Sequence, residues 1–240
     1  MLRNEIKYLL TYEDYVILSR RMAAILTLDK HTVSPEGYRI TSLYLDDKND
    51  TSYYEKLSGD TNRKKYRIRA YNYNPSVISL ECKEKKQSKI NKTSVRIDHN
   101  IFNKMLVNDF GPLSDINNDL AKTVFALNRE KQLKPAVVVD YVREAYTHPL
   151  SNTRITFDKE LACGINTNDF FDGNYKSGYI FPHNEVILEV KFDEYLPTMI
   201  RQMLSIGYRP LAASKYMLCR DYLKSHSIII NNTQVGGKKE

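Results

Sequence analysis

Apolar and polar positions alternate most clearly between Lys65 and Lys85, in KYRIRAYNYNPSVISLECKEK. Alternate residues of a strand point to opposite faces. Lys65, Arg67, Arg69 and Tyr71 therefore share a face, as do Glu81, Lys83 and Lys85 beyond the turn at Asn74-Pro75. Tyr66, Ile68, Ala70, Leu80 and Cys82 form the opposite, mostly apolar face. The stretch predicts a hairpin with one charged side and one core side.

The same alternation appears elsewhere. Arg3 to Leu10 predicts a first strand with Arg3, Glu5 and Lys7 on one face. Thr11 can cap a helix, and Val16, Leu18, Met22, Ile25 and Leu26 give it apolar spacing to about Leu28. A loop through Pro35-Glu36-Gly37 leads to a strand over Tyr38–Asp46, then a short helix over Ser52–Leu57 that ends at Gly59. Lys92–Asp98 predicts another strand, with Lys92, Ser94 and Arg96 on one face. Residues 100–132 predict two helical pieces interrupted at Gly111-Pro112. Ala136–Arg143 and Thr153–Asp158 predict paired strands joined by the turn 149–152, whereas residues 164–184 read as loop. Glu185–Phe192 is the last strand, with Ile187, Glu189 and Lys191 on one face. Pro197 suits the first turn of a helix to Leu204, and Ser214 can cap a closing helix. No repeat or linker divides the chain, so residues 1–225 predict one domain and 226–240 a polar tail.

At 240 residues and 42% apolar content the chain can bury a sizeable core. Its 36 basic and 29 acidic residues give a net charge of +7, which favours an anionic partner without choosing one. Cys82, Cys163 and Cys219 are far apart, with no CxxC pair to suggest zinc or a disulfide framework. Cys82 falls on the apolar side of its strand and reads as core. His31, His99, His148 and His183 lack metal-ligand spacing, and no P-loop or dinucleotide fingerprint occurs. The opening MLRNEIK is charged and no apolar run is long enough to cross a bilayer, so a cytoplasmic, reducing setting is expected.

An open antiparallel sheet with one solvated face accounts for any single charged row. It accounts less well for Arg3/Glu5/Lys7, Lys65/Arg67/Arg69, Glu81/Lys83/Lys85, Lys92/Arg96, Arg143 with Arg154, and Glu189/Lys191 together. TRITFD and ILEVKF carry their charges inside apolar, β-branched runs. The expectation is an α+β chain whose antiparallel strands close into a β-barrel, with charges lining a tunnel and helices flanking it. Such a tunnel suits a metal-bound polyphosphate or nucleoside triphosphate. An RNA-binding strand is disfavoured, because Tyr66 faces away from the basic row.

EIKYLL, YRIRAY, LECKEK, KTSVRI, DYVREA, TRITFDKEL, ILEVKF and ASKY follow one another over residues 5–216. In this order they resemble the polyphosphate polymerase domain of the vacuolar transporter chaperone (VTC) complex, a triphosphate tunnel metalloenzyme. The resemblance implies a tunnel of about eight strands. It implies phosphate contacts from Lys7, Arg67, Arg69, Lys83, Arg143 and Arg154, with Lys92, Arg96 and Lys191 as further basic positions. Ser214 and Lys215 would form another clamp, and Glu189 would hold Mn²⁺ or Mg²⁺. Glu81 is expected to pair with Lys83.

The implied activity is transfer of the γ-phosphate of ATP to a growing inorganic polyphosphate chain, with ATP and inorganic polyphosphate or pyrophosphate as partners. The alternatives are a tunnel-type tripolyphosphatase or nucleoside triphosphatase, and a non-catalytic polyphosphate-binding module. No nucleic acid partner is expected, whereas a membrane-protein partner is compatible with the family. Two departures stand out. The superfamily's hydrolases open with Glu-x-Glu-x-Lys, where this chain has Arg3, Glu5 and Lys7. Ala212 occupies a position where eukaryotic polymerases carry lysine.

Overall fold

The computed structural model describes residues 4–32, 34, 36–87, 89–164, 170–174 and 176–226. Arg3, Pro35 and the tail beyond His226, each part of an expectation above, lie outside them. In chain order the elements are β1 (Asn4–Leu10), α1 (Tyr12–Ala23), β2 (Thr27–Leu28), β3 (Tyr38–Asp46), α2 (Thr51–Leu57), β4 (Asn62–Tyr71) and β5 (Asn74–Lys86). Then come β6 (Lys89–Ile97), α3 (His99–Leu106), α4 (Asp119–Lys131), β7 (Lys134–His148), β8 (Thr153–Gly164) and β9 (Lys176–Tyr179). The last are β10 (Val186–Phe192), α5 (Thr198–Leu204), β11 (Arg209–Pro210) and α6 (Lys215–Ser225).

Local chemistry sets several boundaries. Thr11 Oγ1 accepts the Asp14 N–H at 3.1 Å, which starts α1; Ser214 Oγ accepts that of Met217 at 3.3 Å, which starts α6. Gly37 leads into β3 with φ +108°, and a Cβ there would sit 2.1 Å from the Arg143 carbonyl oxygen. Only glycine fits both constraints. Helix α1 ends at Ala23, so Ile25 and Leu26 pack against the core from beyond it.

The strands form one antiparallel sheet in the order β11-β1-β10-β8-β7-β3-β4-β5-β6, with β2 pairing β7 and β9 pairing β8. The sheet does not close, which corrects the barrel expectation: among the described residues no ladder joins β11 or β1 to β6. Both edges are poor templates. β11 is two residues long and ends at Pro210, which has no N–H for another ladder bond. β6 presents exposed Lys92 and Arg96, and charge blunts an edge. The sheet is nevertheless strongly curled: Lys83 on β5 reaches Glu5 on β1, Nζ to Oε2 at 3.9 Å, although six strand-to-strand steps separate them.

Apolar residues cover both faces. On the convex side α3 and α4 pack Phe102, Met105, Leu120 and Val124 on Leu43, Ile68, Leu80 and Cys82. Farther along that side, α1 and α5 place Leu18, Met22, Ile200 and Leu204 on Ile155, Phe157, Leu188 and Val190. On the concave side α6 inserts Tyr216, Met217, Cys219 and Leu223 against Ile40, Val139, Tyr141 and Ile187. The rest of the concave face carries the charged rows.

Candidate active site

The hairpin β4–β5 supplies the first group. Its register sets Arg67 opposite Glu81 and Lys65 opposite Lys83, with Lys92 of β6 beside Lys83. Arg67 donates Nε and Nη2 to Glu81 Oε2 at 2.8 and 2.7 Å, and Lys92 Nζ lies 2.6 Å from Oε1. Arg69, buried, donates Nε to Ser42 Oγ at 3.1 Å and lies 4.0 Å from Glu81. Burial alone would raise the Glu81 carboxyl, but Arg69, Arg67 and Lys92 bring it down to about 2. The expected Glu81–Lys83 pair is replaced by these contacts, because the two arginines and Lys92 surround the carboxylate while Lys83 extends across the trough to Glu5.

Strands β1 and β10 supply the second group. Lys7 Nζ lies 2.5 Å from Glu5 Oε1 and 3.6 Å from Glu189 Oε2. Lys191 Nζ contacts Glu189 Oε1 and lies 3.7 Å from Glu5 Oε2. Two carboxylates and two lysines thus alternate around a diagonal of the ladder. Burial opposes ionisation of Glu189, yet Lys191, Lys215, Lys7 and Arg143 hold its carboxyl well below the usual range.

The third group joins β7, β8 and α6. Arg143 grips Asp158 with two donors, Nε to Oδ1 at 2.7 Å and Nη2 to Oδ2 at 2.8 Å. Lys215 Nζ reaches the same Asp158 Oδ2 at 2.5 Å, and both cations lie over the Tyr141 ring. Asp158 is fully buried, so removing it would leave two cations without their shared counter-charge. Ser214 sits beside this group at the start of α6. Its Oγ is 3.4 Å from Lys65 Nζ, and Lys65 lies over the Tyr216 ring.

The structure therefore gathers Lys7, Arg67, Arg69, Lys83, Lys92, Arg143, Glu189, Lys191, Ser214 and Lys215 on the concave face. Arg154 lies along the same face toward β2, donating Nε to Asp29 Oδ2 and Nη2 to Tyr38 Oη at 3.0 and 3.2 Å. Arg96 is exposed near the hairpin edge, opposite Ser79. The sequence reading placed Glu5 and Lys65 in charged rows but gave them no site role. It missed Asp158, Ser42 and Tyr44. Asp158 had a signal, since alternation in TRITFD puts it on the face of Arg154. Ser42 and Tyr44 occur in a mixed apolar run and show their role only through the β3–β4 register.

A cavity of about 850 Å³ lies between α2, α4 and the open end of the hairpin, with a mixed-charge lining that includes Asp46, Glu55 and Glu84 as well as Arg63, Lys85 and Lys131. Asp46 and Asp47 accept backbone N–H groups of Ser52, Tyr53 and Thr51 there, so both carboxylates are engaged in holding α2.

The described residues contain no group of three or more His, Cys, Asp or Glu side chains suited to hold a metal ion. Glu5 and Glu189, adjacent across two shared lysines, still match the needs of Mg²⁺ or Mn²⁺, which are commonly held by one or two carboxylates together with substrate phosphates and water. The donor set fits a metal that arrives with its substrate.

The VTC domain family pattern matches residues 2–224. The chain belongs to the VTC domain family, and that membership supports a polyphosphate-related enzyme. Two solved structures are similar along nearly the whole chain. A candidate adenylate cyclase from Bacillus halodurans is 12% identical, covers 100% of this chain and 97% of its own, and gives a TM-score of 0.44. The Schizosaccharomyces pombe Mediator head module is 8% identical, with 94% and 96% coverage and a TM-score of 0.43. No curated protein sequence matches the chain. Among the described residues no helix is long and apolar enough to cross a membrane.

Proposed function

We propose that this protein is a polyphosphate polymerase that transfers the γ-phosphoryl group of ATP to the end of an inorganic polyphosphate chain. The observation that carries the reading is convergence. Cations from β1, β5, β7, β10 and α6 surround two ionised carboxylates, Glu5 and Glu189, on one concave face, and Lys83 links them to the β4–β5 hairpin that carries Arg67, Arg69 and Glu81. Family membership agrees with it.

Phosphoryl transfer asks mainly for positioning and charge stabilisation. A terminal oxygen of the acceptor chain attacks the γ-phosphorus, the bond to the bridging oxygen breaks, and ADP leaves with that bond's electron pair. The products are ADP and a chain longer by one phosphate, so no side-chain nucleophile is required. Arg67 and Arg69 offer guanidinium donors to phosphate oxygens, while Lys7, Lys191 and Lys215 place mobile charges around Glu189. Asp158 positions Arg143 and Lys215. Glu189, with Glu5 beside it, would hold Mn²⁺ or Mg²⁺, which when bound neutralises charge on the reacting phosphates.

Incubation with ATP and Mn²⁺, with long-chain polyphosphate, ADP and orthophosphate resolved, tests the assignment. Chain growth with stoichiometric ADP is expected. Orthophosphate without chain growth would assign hydrolysis instead, and unchanged ATP would assign binding alone. Glu189→Gln is expected to reduce turnover by at least about 100-fold while part of the nucleotide affinity survives. Undiminished turnover in that variant would remove its role.

A further inference from the structure

Among the described residues three buried side-chain oxygens lack a hydrogen-bond partner: Thr32 Oγ1, Glu84 Oε1 and Thr156 Oγ1. Thr32 is half-buried in the loop before β3, and Glu84 Oε1 has Lys64 and Lys86 Nζ at 3.4 Å to balance its charge. Thr156 is different. It is 3% exposed and lies on β8 between Arg154 and Asp158, on the charged face of the sheet. An unpaired buried hydroxyl lowers stability, and departures of this kind concentrate at functional sites.

The ladder defines which acceptors Thr156 can reach. It stands opposite Glu189 on β10 and Ala145 on β7. Ala145 carries no polar side-chain atom, and the guanidinium of Arg154 accepts no hydrogen bond. Asp158 is about 6.8 Å along the strand, and Arg143 and Lys215 already occupy both of its oxygens. Glu189 remains, with the Cβ atoms of such a cross-strand pair about 5 Å apart. Its carboxylate is held by two flexible cations, Oε1 by Lys191 and Oε2 by Lys7 at 3.6 Å.

Those same lysines are drawn to phosphate oxygens when substrate arrives, and Glu189 then loses the contacts that orient it. We infer that Thr156 is a positioning residue, whose hydroxyl donates to the Glu189 carboxylate once Lys7 and Lys191 turn to phosphate and so keeps that carboxylate aimed at the metal. Rotation about the Cα–Cβ bond of Thr156 brings the donor round. A neutral hydroxyl suits the task, because it fixes a carboxylate without cancelling the charge that attracts the metal. Partners behind a metal ligand commonly set its affinity. The inference rests on the metal-holding role proposed for Glu189, and it applies to phosphoryl transfer and to hydrolysis alike.

The test measures binding of tripolyphosphate to the full chain by calorimetry, once metal-free and once as the Mn²⁺ complex, together with thermal unfolding of the ligand-free protein. Thr156→Val removes the hydroxyl at nearly constant shape. Its melting temperature is expected to rise by about 2–4 °C, because the unpaired group is gone. Its affinity for the Mn²⁺ complex is expected to fall by about tenfold or more. Its affinity for metal-free tripolyphosphate is expected to stay within about twofold, since the hydroxyl serves the carboxylate and not the phosphate. Thr156→Ser keeps the donor and is expected to bind the Mn²⁺ complex within about threefold of the parent. A purely structural role would move stability and binding in the same direction. Unchanged binding of the Mn²⁺ complex by Thr156→Val, failure of that variant to fold, or an equal loss in Thr156→Ser would overturn the inference. So would equal losses with and without Mn²⁺, or a parent that gains no affinity from Mn²⁺. The expected pattern in a protein that makes no polymer from ATP would sink the polymerase assignment and leave Thr156 in its role.

Discussion

Lys65 shows how far one residue can depart from its ordinary chemistry here. Burial, with repulsion from Arg63, Lys56 and Lys83, lowers its amine to about 7 against attraction from Asp46. Ser214 and the Tyr216 ring complete its surroundings. The reference amine ionises at 10.5, so between about 7 and 10.5 the unfolded chain binds more protons at this position than the folded one. Its contribution therefore makes stability rise with pH through that window, and its cost is fully present below about 7. Lys65→Met is expected to be more stable than the parent at about pH 6, with the advantage shrinking towards about pH 9. Chemical denaturation at the two values checks this, and parallel profiles would contradict it. Nothing in KYRIRAY marks Lys65 apart from its neighbours. Its peculiarity comes from α2, the element just before β4, and from α6, which arrives from distant sequence.

Helix α6 closes over the concave face, and Asp46 at the end of β3 secures it. One carboxylate accepts the Ser52 N–H at 2.9 Å, the Tyr53 N–H at 3.2 Å and the Tyr216 hydroxyl at 2.5 Å, with Arg220 Nη1 at 3.7 Å. It thus ties α2 and α6 to the sheet. Asp46→Ala is expected to cost about 3 kcal/mol, because the Ser52 and Tyr53 amides and the buried Tyr216 hydroxyl lose their acceptor. Urea unfolding followed by circular dichroism measures it, and a loss below about 1 kcal/mol would contradict the tie. The longer elements were legible because each carried its own signal: alternation for β1, β3, β4, β5 and β10, and capping residues for α1 and α6. The strands β2, β9 and β11 are two to four residues long, too short for a period, and form only because β7, β8 and β1 offer free ladder groups. Residues 164–184 read as loop because Gly, Asn and Asp mask the short strand within them.

At the scale of the molecule, the sequence carried the choice of faces but not the closure of the sheet. Alternation puts Arg67, Glu189 and Lys7 on a common side whether the sheet closes or only curls. Closure depends on the edges, and Pro210 and the exposed charges of β6 leave them unpaired. The concave face survives because curling alone brings β5 to β1, as the Lys83–Glu5 contact records. The most direct test of the account is the position of phosphate in a crystal structure with a non-hydrolysable ATP analogue and Mn²⁺. The account predicts β- and γ-phosphate oxygens within hydrogen-bonding distance of Arg67, Arg69 and Lys215, with Glu189 beside them. Phosphates bound on the convex side, remote from Glu189, would contradict it.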